Sequence, residues 1–234
     1  MRALSARCAA VALGVAGVMV GDAAVVPGVA VAGPGTGWSI VASPNGARFG
    51  DNTLMEVSAG PAASAWAVGY AGGAGTFRTM VQRWNGSRWA VLPSPNVSPL
   101  DNVLAGVDTV SADDAWAVGY AARVTPRGAA PHARALIERF NGRRWAAAPA
   151  PQVPGSSSLA DVLALTPHLA WAVGSYSPRP GVNRTLVERW NGRAWTVTSS
   201  PGPRPSSELL GIAGTPQHLW AVGTALTDTL ILRH

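Results

Sequence analysis

Residues 114–145 hold the unit from which the chain is built: Asp114-Ala115-Trp116-Ala117-Val118-Gly119-Tyr120, then, past a loop, Ala135-Leu136-Ile137-Glu138-Arg139-Phe140-Asn141-Gly142, then Trp145. Trp-Ala-Val-Gly begins at Trp66, Trp116, Trp171 and Trp220, in steps of 50, 55 and 49 residues. A second signature follows the first three copies: Arg83-Trp84-Asn85-Gly86, Arg139-Phe140-Asn141-Gly142 and Arg189-Trp190-Asn191-Gly192. The fourth copy reaches Arg233-His234. Three residues past each of those glycines stands Trp89, Trp145 or Trp195, and Trp38 fills the same slot ahead of the first copy. Ser43-Pro44-Asn45, Ser94-Pro95-Asn96, Ala150-Pro151-Gln152 and Ser200-Pro201-Gly202 come next in turn.

All ten Trp occupy repeat slots. A Trp that recurs once per unit reads as a packing element, since each buries about 150–250 Å². Four short β-type runs make up a unit. The first is Leu104 to Val107, with counterparts Leu54 to Val57, Ala160 to Leu163 and Leu209 to Ile212. Ala115 to Tyr120 is the second and Ala135 to Phe140 the third, where apolar and polar residues alternate over the second half. Trp89 to Leu92, ended by Pro93, exemplifies the fourth. Asn-Gly between the third and fourth runs is a strong hairpin signal, with φ > 0 at both central residues if the turn is of the primed type. Four short strands per repeat, separated by Gly, Pro, Ser and Asn, are the pattern of a propeller blade.

Composition agrees. The chain has 234 residues, 47% hydrophobic and 13% charged, with 27 Gly and 19 Pro. Ordinary globular chains carry roughly 25% charged residues. Gly and Pro break helices, which excludes a helix bundle. All 18 basic residues are Arg.

Residues 1–32 read as a secretory signal peptide: Arg2 and Arg7, an uncharged run from Ala9 to Val20, and Ala30-Val31-Ala32 before Gly33. The run is too short to span a membrane, and Asp22 and Pro27 interrupt its continuation. Cleavage would remove Cys8, the one cysteine, and take the formal charge from +6 to +5 by loss of two Arg and one Asp. Neither a disulfide nor a thiolate is then expected. The expected product is a secreted domain over 33–234, with repeats starting near residues 38, 89, 145 and 195 and no membrane span.

The repeats resemble those of kelch-type β-propellers, the superfamily that includes the galactose-oxidase propeller. Trp66-Ala67-Val68-Gly69, Val81-Gln82-Arg83-Trp84, Asn85-Gly86, Trp89 and Pro93 carry the likeness. It extends to uncharacterised Trp-rich repeat proteins secreted by bacteria and covers residues 38–234. The second glycine of the kelch pattern is replaced by Tyr70, Tyr120, Ser175 or Thr224. The resemblance implies an all-β propeller of four four-stranded blades, strands a to d running outward from the axis. Trp38 to Ala42 would then be a lone d strand and Thr229 to Arg233 a lone c strand. Their pairing would complete the last blade and close the ring, because an open ring leaves faces and an edge exposed. A monomer is expected over a dimer. The rival is an open four-blade piece that joins a second copy.

No constellation of catalytic residues stands out. Glu138 and Glu188 share a slot with Gln82 and Leu232, which suits a strand surface position. Asp113-Asp114 reads as turn chemistry. His132, His168, His218 and His234 lack neighbours at ligand spacing, so no metal and no cofactor are expected. A galactose-oxidase thioether would need a cysteine that the mature chain lacks.

The resemblance also implies that b–c and d–a loops share one face. The b–c loops and their borders carry Arg78, Arg123, Arg127, Arg134, Arg179 and Arg184. Forked guanidinium donors suit carboxylates and phosphates. An anionic extracellular or cell-wall polysaccharide, or a protein partner, is therefore the expected ligand. Nucleic acid is not expected: Lys is absent and the aromatics are already placed in the core. The leading expectation is a non-enzymatic recognition or scaffold module. One alternative is a carbohydrate-active lyase or hydrolase, which acids converging on the axis would favour. Another is a remnant of a longer propeller.

Overall fold

A computed structural model of the protein describes residues 37–48, 50–61, 64–73, 75–123, 132–203 and 206–234. The expected signal peptide, Cys8 and Arg127 lie outside these residues. Residues 42–234 form one compact unit. It contains every strand among the described residues and no helix.

The first sheet comprises β1 (Asp51–Ala59), β2 (Ala65–Gly73), β3 (Thr76–Trp84) and β4 (Trp89–Leu92). β5 (Asn102–Ser111), β6 (Asp114–Arg123), β7 (His132–Phe140) and β8 (Trp145–Ala148) make the second. The third is β9 (Ser156–Thr166), β10 (Leu169–Arg179), β11 (Val182–Trp190) and β12 (Trp195–Thr198). The last has three strands, β13 (Ser207–Thr215), β14 (His218–Ala225) and β15 (Asp228–Arg233). Each sheet is an antiparallel meander in chain order. The first three runs read from the sequence lie within longer strands, and the fourth, Trp89 to Leu92, is β4 itself.

The glycine of Trp-Ala-Val-Gly has one reason in all four copies. The inner strand bulges at Met55, Ala105, Ala160 and Leu210, where the register skips a residue. Opposite the bulge the strands close in. A Cβ on Gly69, Gly119, Gly174 or Gly223 would lie 1.9–2.1 Å from a carbonyl oxygen of the facing strand. No side chain fits there, so the slot requires glycine.

The Asn-Gly turns differ from the primed two-residue form. Only the glycine takes positive φ: 96° at Gly86, 84° at Gly142 and 91° at Gly192. Trp84 pairs with Trp89 across a four-residue loop, in which the Asn85 Oδ1 accepts from the Ser87 and Arg88 N–H groups at 3.0 Å. Asn141 and Asn191 do the same. The asparagine side chain here replaces the backbone strain that a primed turn would need.

Sheets pack face to face with their neighbours in sequence. Trp66, Val68 and Val81 of the first meet Leu104, Val107, Ala117, Leu136, Phe140 and Trp145 of the second. Trp116, Val118 and Ile137 of the second meet Leu159, Val162, Leu186 and Trp195 of the third in the same way. Val173 packs with Leu209, Ala221 and Leu230 at the last junction. Trp66 and Trp116 are 0% exposed and Trp171 6%, but Trp220, with no further sheet among the described residues packed on it, is 48% exposed. The expectation that every Trp is core fails at Trp220 because that burial is supplied by the next sheet. It also fails at Trp38, which is almost wholly exposed.

The expected closing strand is not formed. Residues 37–42 take neither strand nor helix, and β15 pairs with β14 alone. The fourth sheet therefore ends at three strands. The chain is all-β with four antiparallel sheets, three of four strands and one of three.

Candidate functional site

A meander of antiparallel strands puts its first and third turns on one edge and its second turn on the other. The Asn-Gly turns therefore share an edge with the β1–β2, β5–β6, β9–β10 and β13–β14 turns. The arginine-bearing loops read from the sequence lie on the opposite edge.

On that opposite edge two of the six arginines hold the loops together. Arg78 donates to the Ser98 carbonyl at 2.9 Å and the Pro99 carbonyl at 3.3 Å. Arg134, at the equivalent position in β7, donates to the Val153 carbonyl at 2.5 Å. Arg184 has the same slot in β11, with a buried Nε that makes no hydrogen bond. Arg123 and Arg179 end β6 and β10 with exposed side chains. Arg78 is exposed as well, with its two terminal nitrogens on the loop carbonyls.

The Asn-Gly edge is more basic, and the sequence reading did not single it out. Arg83, Arg139, Arg189 and Arg233 occupy one slot in successive sheets. Each guanidinium lies over the Trp of its own sheet: 5.1 Å from the Trp66 ring, 4.9 Å from Trp116, 5.6 Å from Trp171 and 5.6 Å from Trp220. Such stacks contribute about 0.5–1 kcal/mol each when exposed. Arg83 also donates to the Ala112 carbonyl at 3.1 Å, and Arg139 to the Pro167 carbonyl at 3.2 Å, each in the next sheet's first turn. Arg139 clasps Asp114 through two hydrogen bonds of 2.8 and 2.7 Å, which raises the Arg139 pKa. Arg88, Arg143, Arg144 and Arg193 stand beside them, exposed in the Asn-Gly turns. Eight arginines thus face two acids, Asp113 and Asp114. The signal was legible as the repeated Arg-Trp-Asn-Gly and the arginines after it, once the meander is seen to gather them.

A second group is acidic and lies on the inner strands. The Glu56 Oε2 accepts from the Val107 N–H at 2.7 Å. Asp161, at the equivalent slot of β9, accepts from the Ile212 N–H at 2.8 Å. In β5 that slot is Gly106, and Asp108, two residues on, accepts from the Ala164 N–H at 2.7 Å. Each junction between consecutive sheets is thus tied by one carboxylate on one inner-strand amide. The three acids influence one another. Burial, then Asp161, then Asp108 push the Glu56 carboxyl up to about 7, against the hydrogen bond from Val107. Burial also raises Asp161, with a smaller push from Asp108. None of the three was picked out in the sequence, because they meet only across sheets.

Glu138 and Glu188 are not surface residues. Both are fully buried, with carboxyl oxygens that make no hydrogen bond, and burial pushes each pKa up to about 8. They share one strand slot. In the first sheet Gln82 fills it, donating to the Pro44 carbonyl at 2.8 Å and accepting from the Ser43 hydroxyl at 2.9 Å. Among the described residues, no group of three or more His, Cys, Asp or Glu is placed to hold a metal ion. No helix among them is long and apolar enough to cross a membrane.

No family model matches the chain, and no curated protein matches it. Among solved structures it is similar to one titled "YCF48 bound to D1 peptide", at 14% identity and a TM-score of 0.41, over 76% of this chain and 64% of that one. It is also similar to a glycoside hydrolase, at 11% identity and a TM-score of 0.40, over 73% of this chain and 62% of that one. The chain thus spans less than two thirds of the length of either.

Proposed function

We propose that the protein is a secreted, non-enzymatic recognition module of β-propeller type that binds an extended polyanion along its Asn-Gly edge. The observation that carries this reading is the gathering there of eight arginines against two acids. Arg88, Arg143, Arg144 and Arg193 have exposed side chains in the Asn-Gly turns, and a row of forked donors matches repeated carboxylates or phosphates. An acidic polysaccharide is the leading ligand class, and an acidic peptide segment offers the same chemistry. The test is retention on immobilised polygalacturonate and polyphosphate at low and high salt. Replacing Arg88, Arg143, Arg144 and Arg193 together by Ser should abolish retention at low salt. Unchanged retention would remove the reading. Arg123→Ser with Arg179→Ser, tested in parallel, probes the opposite edge.

A second reading, cleavage of a glycosidic bond, rests on the inner carboxylates. Glu56 held near neutrality beside Asp161 has the proton-holding character of a general acid with an acidic partner. Release of reducing ends from uronate-bearing oligosaccharides, lost in Glu56→Gln, would support it. Inactivity of the wild-type chain would dismiss it.

A further inference from the structure

The two outer faces of the four-sheet stack are the unmatched halves of a contact that the chain makes internally. At each internal junction the leading sheet presents a Trp and two β-branched residues. Trp66, Val68 and Val81, and then Trp116, Val118 and Ile137, are all fully buried in this role. The fourth sheet presents Trp220, Val222 and Ile231 at the same positions, 48%, 47% and 63% exposed. Arg233 is already stacked on Trp220 at 5.6 Å, as Arg83 is on Trp66.

The receiving half is equally preformed. Trp66 is received by Phe140 at 4.6 Å and by Trp145 edge to face at 5.1 Å. Trp116 is received by Trp190 at 5.0 Å and by Trp195 at 5.1 Å. These pairs have a counterpart in the first sheet, Trp84 and Trp89, with centroids 5.7 Å apart and planes at 51°. That is close to the 5.8 Å and 45° of Phe140 and Trp145. No Trp is seated on it. Below it Leu54 and Val57 are 42% and 61% exposed, whereas their counterparts Leu104 and Val107 are 0% and 3%.

We propose that these faces join head to tail between two copies of this chain, with Trp220 of one copy seated on Trp84 and Trp89 of the other. The occupant is argued from continuity with the internal junctions. Residues at matching positions already form this contact twice, with Trp171 on His234 as a reduced third case, and a second copy carries both halves. Within one chain, the substantial packing among the described strands runs between consecutive sheets. The contact is heterologous, head to tail, and two copies satisfy both pairs of faces where the rotation between them closes the ring. The fourth sheet has Gly211 and Ala213 where the other inner strands place their junction carboxylates. The intermolecular junction therefore lacks that tie and should dissociate on dilution.

The experiment is sedimentation velocity on the purified chain from low to high micromolar concentration. A concentration-dependent dimer is expected. Trp220→Glu and Val57→Glu, each altering a partly exposed side chain at opposite ends of the stack, should each give a monomer with unchanged circular dichroism. Mixing the two variants should restore a dimer through the one junction whose halves both survive. A wild-type chain that stays monomeric at high concentration overturns the proposal. So does a dimer that both variants leave intact, or a mixture of folded variants that stays monomeric. The readout is independent of polyanion retention, so the two proposals stand or fall separately.

Discussion

Trp66 and Trp145 meet edge to face across the first junction, with ring centroids 5.1 Å apart and planes at 89°. Trp116 and Trp195 repeat the contact across the second, at 5.1 Å and 89°. Identical geometry at consecutive junctions means that the repeat encodes an interface as well as a sheet. At the third junction His234 takes the place of the receiving aromatic, with its ring 5.0 Å from Trp171.

Position along the stack should set the cost of losing a Trp. Trp116→Ala empties a fully buried junction and is expected to cost about 3–5 kcal/mol. Trp220→Ala, half exposed in a single chain, should cost about 1–2 kcal/mol by the same scaling with buried area. Urea denaturation of dilute protein checks both, and equal costs would contradict the packing described.

Glu138 and Glu188 make stability depend on pH. Their ordinary pKa is 4.5 and in the fold each is about 8. Between these values the folded chain keeps protons that the unfolded chain has released, so stability falls as pH rises from about 4.5 to about 8 and then levels. The loss is of the order of a few kcal/mol for each acid. Gln82 shows that an amide fits this slot. The double variant Glu138→Gln and Glu188→Gln should therefore melt at a temperature that varies less between pH 5 and pH 9. A slope identical to wild type would refute this.

Gly119→Ala places a Cβ 2.0 Å from the Val103 carbonyl oxygen. The strands must separate at the bulge, and a loss of about 3 kcal/mol or more is expected, in the range of severe single substitutions. Chemical denaturation is the measurement. Gly86→Ala meets no neighbouring atom within 4 Å, though its φ of 96° still carries backbone strain. It should cost about 1–2 kcal/mol.

Arg139 joins a cation–aromatic stack, a two-bond ion pair with Asp114 and a bond to Pro167 in the next sheet. Arg139→Lys keeps the charge but loses the fork, and should cost about 1 kcal/mol. Arg139→Ala should cost about 2 kcal/mol. Asp114→Asn, removing the ion pair with Arg139, should cost less than 1 kcal/mol, because the pair is partly open to solvent. Calorimetric melting of the three variants ranks them.

Strand order, the fourfold repeat and the edge on which each arginine sits follow from short-range patterns. Hairpins join neighbours in the chain, and side chains alternate along a strand, so Arg83-Trp84-Asn85-Gly86 already contains that information. Loop length varies on the opposite edge, which drew the expected site there, yet Arg78 and Arg134 spend their donors on loop carbonyls. The primed-turn expectation also failed locally, since an asparagine side chain can cap the loop without positive φ at Asn85.

Other features were settled only by packing between sheets. Glu56, Asp108 and Asp161 lie about fifty residues apart and meet because consecutive inner strands stand side by side. Glu138 looks like a surface residue by alternation and is fully buried in the assembled fold. Trp220 sits in the same tetrapeptide as Trp66 and is half exposed because no further sheet among the described residues packs on it. Local patterning thus determined what each sheet is. The burial, protonation and pairing of its side chains were decided by the neighbour it meets, because desolvation depends on what is adjacent in space.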